Sequence, residues 1–366
     1  MKRQHLEIFV FFLLYSVGCV DPFTFDTSSE EKALIVDGYI SNIPFSDGAL
    51  YKMDPRFFEV NLKFSSGVKN RPDEPVENAR LQVVSKDGEH WDYEEVEPGL
   101  YRLYFENFMA ESNKEYQIYI ELSNGDIYES EFESAPIYND IADFYFKEEE
   151  KLAYERIAGE TLIRTQTGIQ FYGRVPETSK NTNEVNYKWD YTTTYGAIAW
   201  GLRPEEINYK CWIISPMFYK ERKVVKDVPG GPEHELFFLE TNSQYIHEDF
   251  SVLFKQMIMT ELYYQFWVDL ENQEKQEELF APPPYNLVTN LRAVNHDKPV
   301  YGYFGVVSEN FYRWFFSKDE ISYYIVYPEE LQRCGAPPGP ECFDCRLIGR
   351  AIRSTITNTE PNWWER

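Results

Sequence analysis

Apolar and polar positions alternate with period two along much of this chain. Tyr116, Ile118, Ile120 and Leu122 fall on one side of such a pattern, as in a half-buried strand. Similar runs predict strands at Leu34–Ile40, Phe57–Phe64, Ala79–Ser85, His90–Glu95, Tyr101–Phe105, Tyr116–Leu122 and Ile127–Phe132. Lys86-Asp87-Gly88, Glu97-Pro98-Gly99 and Asn124-Gly125-Asp126 supply the turns between them. Seven short strands over residues 33–135 predict an immunoglobulin-like β-sandwich, without the cysteine pair of antibody domains.

Ala135-Pro136 marks the expected boundary of a second, larger β-rich domain over residues 136–366. Its expected strands are Thr161–Tyr172, Val185–Tyr195, Tyr209–Ile214, Glu235–Leu239, Ser251–Met259, Val300–Val307 and Phe311–Phe316. One amphipathic helix interrupts them near 260–278, with Leu262, Tyr263, Phe266, Trp267 and Leu270 on one face. Thr260 suits the N-cap and Glu261 the first turn. Phe280-Ala281-Pro282-Pro283-Pro284 forbids continuation. The apolar stripe is expected to pack into the core rather than to form a partner groove. The fold class is therefore mainly β.

The start of the chain has a different pattern. Lys2 and Arg3 precede an apolar run, Ile8–Tyr15, and Ser16-Val17-Gly18 then lead to Cys19. A basic start, a short apolar core and small residues at a cut site are a secretory signal. A cysteine at the first mature position offers the thiol that a lipid thioether needs. Residues 1–18 are thus read as a lipoprotein signal peptide and Cys19 as its lipidation site, with Ser16 where an aliphatic residue is usual. Residues 19–32, with Asp21-Pro22 and Thr27-Ser28-Ser29-Glu30-Glu31, are read as a tether. No later stretch approaches about eighteen uninterrupted apolar residues, so the lipid is the expected hold on the membrane.

Charge narrows the partners. Removing residues 1–18 leaves 366 − 18 = 348 residues, with 36 − 2 = 34 basic and 61 − 1 = 60 acidic, a net charge of −26. Phosphate contacts need Lys and Arg clusters, so nucleic acid is not an expected partner. Aromatic residues make up 17% of the chain, which fits a β-rich core and also a sticky binding face.

Beyond Cys19 there are four cysteines: Cys211, Cys334, Cys342 and Cys345. In an oxidising compartment they allow three disulfide pairings. Each pairing joins Cys211 to one tail cysteine and closes the other two locally, so the Pro-rich tail is tied to a mid-domain strand. The rival is a zinc site of four thiolates, and Cys342-Phe343-Asp344-Cys345 has the C-x-x-C spacing, but a second such pair is missing.

Little else carries chemistry. His90, His234, His247 and His296 form no H-E-x-x-H motif, and no G-x-S-x-G elbow, phosphate loop or dinucleotide fingerprint occurs. Glu148-Glu149-Glu150 is expected to be a solvated face. Glycosidase carboxylates pair in space rather than in sequence, so a hydrolase stays open as the least favoured alternative despite the missing motifs. No catalytic residue, metal site or cofactor is expected. The loop Tyr195-Gly196-Ala197-Ile198-Ala199-Trp200-Gly201 is apolar with flexible ends: buried, it is a strand turn, and exposed, it makes Tyr195 and Trp200 the candidate contact residues for a partner or ligand.

Several segments, in this order, resemble the domain-of-unknown-function-4249 lipoproteins common in Bacteroidota. They are Cys19 with Asp21-Pro22-Phe23, Leu34-Ile35-Val36-Asp37-Gly38-Tyr39-Ile40, Asn78-Ala79-Arg80-Leu81-Gln82-Val83 and Gly99-Leu100-Tyr101. Tyr187-Lys188-Trp189, Cys211-Trp212, the helix at Tyr263–Gln276, Leu279-Phe280-Ala281-Pro282-Pro283-Pro284 and Asn290-Leu291 follow. Gly302-Tyr303-Phe304-Gly305, Cys342-Phe343-Asp344-Cys345 and Pro361-Asn362-Trp363-Trp364 complete the series. The resemblance implies an outer-membrane lipoprotein that works as an accessory binding or interaction module beside a TonB-dependent receptor. A stand-alone glycan- or peptide-binding lipoprotein is the alternative. The resemblance implies no catalytic residues, and it leaves the surface and periplasmic faces of the membrane equally open.

Overall fold

The alternation is realised as strands that bury one face and return at short turns. In the computed structural model the described residues are 32–65, 74–137, 140–157, 160–179, 183–215, 222–243, 245–275, 287–325, 334, 338–348 and 354–364. Cys19, the expected signal peptide, the tether up to residue 31 and the proline run at 282–284 lie outside them. The first ten strands are β1 (Leu34–Ser41), β2 (Phe58–Phe64), β3 (Glu74–Pro75), β4 (Arg80–Ser85), β5 (His90–Asp92), β6 (Glu94–Glu97), β7 (Leu100–Leu103), β8 (Glu115–Glu121), β9 (Ile127–Ser130) and β10 (Glu133–Ser134). The next seven are β11 (Asp143–Ile157), β12 (Glu160–Arg174), β13 (Val185–Ile198), β14 (Lys210–Ser215), β15 (Lys223–Asp227), β16 (His234–Glu240) and β17 (Phe250–Met259). Helix α1 (Glu261–Lys275) follows, then β18 (Leu291–Ala293), β19 (Val300–Phe315) and β20 (Thr355–Thr357). The chain is mainly β with a single α-helix among the described residues, as its pattern predicts.

One large sheet organises everything else. Its order is β20-β14-β13-β17-β19-β1-β2-β7-β6, with β15 and β3 attached to β13 and β2. Two smaller sheets, β18-β9-β8-β4-β5 with β10 and β11-β12-β16, complete the topology. Both back the same face of the large sheet. Leu34, Val36, Val60, Leu62, Phe304 and Val306 from the large sheet pack on Leu81, Val83, Ile118, Ile120 and Tyr128 from the first small sheet. Tyr187, Trp189, Tyr191, Val252 and Phe254 pack on Ile169, Phe171, Phe237 and Leu239 from the second. The N-terminal half is therefore a two-sheet sandwich, compatible with an immunoglobulin-like one. The division expected at residue 135 does not separate the sheets. β18 and β19 come from beyond it and complete the sandwich through pairs with β9 and β1.

Strand β19 joins the two halves. Residues 300–307 run parallel to β1, and residues 308–315 run antiparallel to β17. Its even-numbered Phe304 and Val306 fill the sandwich, whereas Trp314 packs on the other core. The parallel approach to β1 needs a glycine. Gly302 has a φ of +93°, and a Cβ there would stand 1.9 Å from the Val36 carbonyl oxygen. The expected strand at 90–95 is in fact two. β5 pairs with β4 and β6 with β7, and buried Tyr93 turns the chain from one sheet to the other.

Candidate functional site

The opposite face of the large sheet carries the polar chemistry. Odd-numbered β13 side chains, Tyr187, Trp189 and Tyr191, enter the aromatic core. Their even-numbered neighbours Lys188 and Asp190 must point the other way. Neighbouring strands extend that row. Asp190 lies opposite Lys255 of β17, and Met257 lies opposite Glu309 of β19. Asp37 and Tyr39 of β1 lie beside Tyr303 and Gly305.

Two coverings leave this row between them. On one side α1 packs Tyr263, Phe266 and Trp267 over Met257, Met259, Tyr303 and Val307. The Tyr263 ring stacks on Tyr303 at 4.6 Å and rests on Gly305, where a Cβ would meet it at 2.4 Å. Thr260 caps the helix by accepting from the Tyr263 amide at 3.3 Å. Glu261 ties its first turn to Asn186 at 3.0 Å and to Lys226 at 2.9 Å. On the other side Ile43, Tyr51 and Met53 pack on Leu253 and Phe311. What remains between is a trough floored by charged side chains.

The trough is a connected network. Lys188 Nζ donates to Asp190 Oδ2 at 2.5 Å, and Lys255 Nζ reaches the same oxygen at 3.2 Å. Lys255 also donates to the Tyr39 hydroxyl at 3.5 Å, and Arg56 donates to that hydroxyl at 3.5 Å. Arg56 further donates to Ser41 Oγ at 3.2 Å and pairs with buried Glu309. Trp267 forms a wall, with the Lys188 ammonium 4.2 Å and the Arg222 guanidinium 5.0 Å from its ring. Asp190 and Lys255 keep side-chain exposures of 27% and 24%, so solvent reaches the floor. Asp37 is exposed at the rim, within electrostatic reach of Lys188, Lys63 and Lys255.

Burial sets the protonation of these groups. Desolvation lowers the Lys188 ammonium to about 8, and Asp190 offsets only part of that. Asp190 feels the same desolvation, but Lys188 and Lys255 together hold its carboxyl well below the ordinary range. Burial also pulls Lys255 down, and Tyr39, Asp190 and Glu309 outweigh it and keep the ammonium charged. Asp37 is pushed up by the protein packed around it, against the pull of Lys188, Lys63 and Lys255. Shifted groups meeting in one concave place are a common mark of a site.

The residues singled out from sequence lie elsewhere. Tyr195 is in β13, buried, with its ring 4.8 Å from Tyr245, so it offers no contact surface. Its odd position puts it on the core face of the strand. Trp200 is exposed, and the next residue, Gly201, is fastened by its amide to the Cys342 carbonyl oxygen at 2.7 Å. The loop is thus docked on the tail and does not hold Tyr195 and Trp200 together. Cys211 is bonded to Cys345 and Cys334 to Cys342, one of the three pairings left open, which leaves no set of four thiolates for zinc. Among the described residues no group of three or more His, Cys, Asp or Glu could hold a metal ion. No described helix is long and apolar enough to cross a membrane. In α1, Tyr263, Phe266 and Trp267 face the sheet, but Leu262 turns outward. The trough itself was signalled by the aromatic–charged alternation Tyr187-Lys188-Trp189-Asp190-Tyr191, whose charged side reads from sequence as ordinary solvent face.

The family model described as Domain of unknown function (DUF4249) matches residues 20–313, a span that contains every trough residue. No curated protein matches the chain.

Proposed function

The chain belongs to the DUF4249 family, and on that premise we propose that it is an outer-membrane lipoprotein, held by Cys19, that serves as a non-catalytic binding module beside a TonB-dependent receptor. The trough carries this reading. Paired charges on rigid strands, solvent at the floor and an aromatic wall make a concave surface of the kind that holds ligands. The lipobox pattern at Ser16-Val17-Gly18-Cys19 supports the anchor, and residues 20–31 give it a spacer. Affinity purification of the full chain from native outer membrane tests the partnership. A TonB-dependent receptor is expected in the eluate, and recovery of the chain without any envelope partner overturns it. Cys19→Ala is expected to move the chain out of the membrane fraction.

The alternative, a lipoprotein that binds a glycan or peptide alone, rests on the same trough. It predicts ligand binding with no receptor in the eluate.

A further inference from the structure

We propose that the outer half of the β11–β12 hairpin is a docking arm for a second copy of this chain, the two β11 strands pairing antiparallel around Ala153. The arm leaves the body because its support ends. β16 pairs with β12 only between Gly168 and Gly173, whereas β11 and β12 stay in unbroken register out to Ile157 and Glu160. Residues 151–157 and 160–166 therefore run on as a two-stranded ribbon about 20 Å long. At its root Phe146, Ile169 and Phe171 face the core. Further out, the same face carries Leu152, Tyr154 and Ile163, which are 67%, 74% and 64% exposed. A two-stranded ribbon is marginally stable alone in water, and further strands sharing an apolar face steady it. β11 is also the outermost strand of its sheet, and residues 150–156 have neither a proline nor a bulge to deter another strand.

Charge identifies the occupant. Glu150-Lys151-Leu152-Ala153-Tyr154-Glu155-Arg156 is its own complement when reversed. With a two-fold axis at Ala153, Glu150 stands opposite the second copy's Arg156, Lys151 opposite Glu155, and Leu152 opposite Tyr154. Each pair occurs twice, so no like charges meet. Opposite charges facing across an antiparallel pair are favourable, and like charges are not. A slip of two residues one way sets Glu149 against Glu155, and the other way sets Arg156 against Leu152, so one register stands out. Glu150 and Arg156 are exposed on the face that carries Leu152 and Tyr154. Lys151 already donates to Gln170 at 2.5 Å and lies 3.6 Å from Glu235, so its pair adds least. On the apolar face Ile163 and Tyr154 continue into the copy's Leu152 and Thr165, one row across four strands. The strip is small beside the roughly 800 Å² per partner of a stable interface, so pairing is weak and concentration-dependent. The net charge of −25 opposes the approach, and physiological salt screens it beyond about 8 Å. The arm extends the layer behind the large sheet, so pairing leaves the trough open and does not rest on the binding-module reading.

Cross-linking of the full chain, purified in detergent, tests this. Ala153→Cys puts two thiols at the axis, where facing Cα atoms of an antiparallel pair are about 4.5–5.5 Å apart, within disulfide range. With copper phenanthroline as oxidant, this variant is expected to give a disulfide-linked dimer. Thr165→Cys lies on β12, so it stands about 14 Å from its counterpart and is expected to give at least tenfold less. Glu150→Arg in the Ala153→Cys chain is expected to cut the dimer several-fold by setting like charges face to face, and Arg156→Glu added to it is expected to restore the yield. A merely misfolded arm would not be rescued by a second charge reversal. No dimer from Ala153→Cys, an equal yield from Thr165→Cys, or no recovery in the double reversal overturns the proposal. None of these touches the receptor partnership, which stands or falls on the membrane purification.

Discussion

Strand β13 shows two ways of being buried. Its odd side chains enter a core of stacked rings, where Trp189 is fully enclosed and donates from Nε1 to Gln256 at 3.1 Å. Of its even side chains Lys188 is nearly as enclosed and Asp190 is partly exposed, and both meet charges and the edge of one helix instead of a core. The first face is stabilised by apolar area removed from water. The second gains little of that, because desolvating two ions offsets most of their attraction. An apolar replacement for the ions would fold at least as well. Their presence on the covered side therefore points to a task other than holding the fold.

Four substitutions test this contrast, from the largest effect to the smallest. Trp189→Ala is expected to cost about 3–5 kcal/mol, read as a fall in the urea midpoint, since it empties the core and takes one of three hydrogen bonds from Gln256. A cost below that of an exposed aromatic would break the contrast. Glu309→Gln is expected to cost about 3 kcal/mol by leaving Arg56 without its counter-ion, and Arg56→Met in the same chain should recover part of it. Additive losses would show that the pair is not coupled.

Lys188→Met is expected to change stability by about 1 kcal/mol or less, in either direction, because Lys255 still satisfies Asp190. Its signature lies in pH. In the folded protein Lys188 titrates at about 8, below its unfolded value, so the folded state sheds the proton first. Stability should climb as pH rises from about 8 toward the ordinary lysine range near 10, and that climb should vanish in the variant. Unfolding midpoints across that range decide it. Asp37→Asn has the smallest effect. The raised Asp37 carboxyl penalises folding once pH has risen through its range, so the amide should stabilise slightly at pH 7 and not at pH 3. The gain should stay under about 1 kcal/mol because solvent screens the group. A loss of stability at pH 7 would show that Asp37 serves the fold.

Much of the fold was legible because half-buried strands advertise themselves by alternation. β1, β4, β8, β13, β16 and β17 end within a few residues of their expected bounds. The failures have physical causes, and one of them lies in the site. β19 was expected as two strands because Ser308-Glu309-Asn310 breaks the apolar run. The strand continues there because Arg56 and Asn42 supply partners that are remote in sequence. A buried carboxylate with a distant partner looks like a loop from sequence, so the gap in the pattern was itself the mark of the site. β11 was missed for a different reason. Its Glu148-Glu149-Glu150 run is indeed polar, but it sits in a fifteen-residue strand that is paired with β12 throughout. β15, β18 and β20 are too short to show a period. Tyr195 and Trp200 stand out in sequence by their rings, and only tertiary packing decides which rings face out.

Mechanical load gives the shared strand a further meaning. A pull on the N-terminal end of the described chain enters at Leu34, the first residue of β1. β1 runs parallel to β19 over eight consecutive register pairs, and β19 is rooted at its far end in the large sheet beside β17. The two strands are thus drawn from opposite ends. Their bridging hydrogen bonds are loaded together in shear instead of being unzipped one at a time. A chain tethered at that end and tugged by a moving partner would resist like a lap joint.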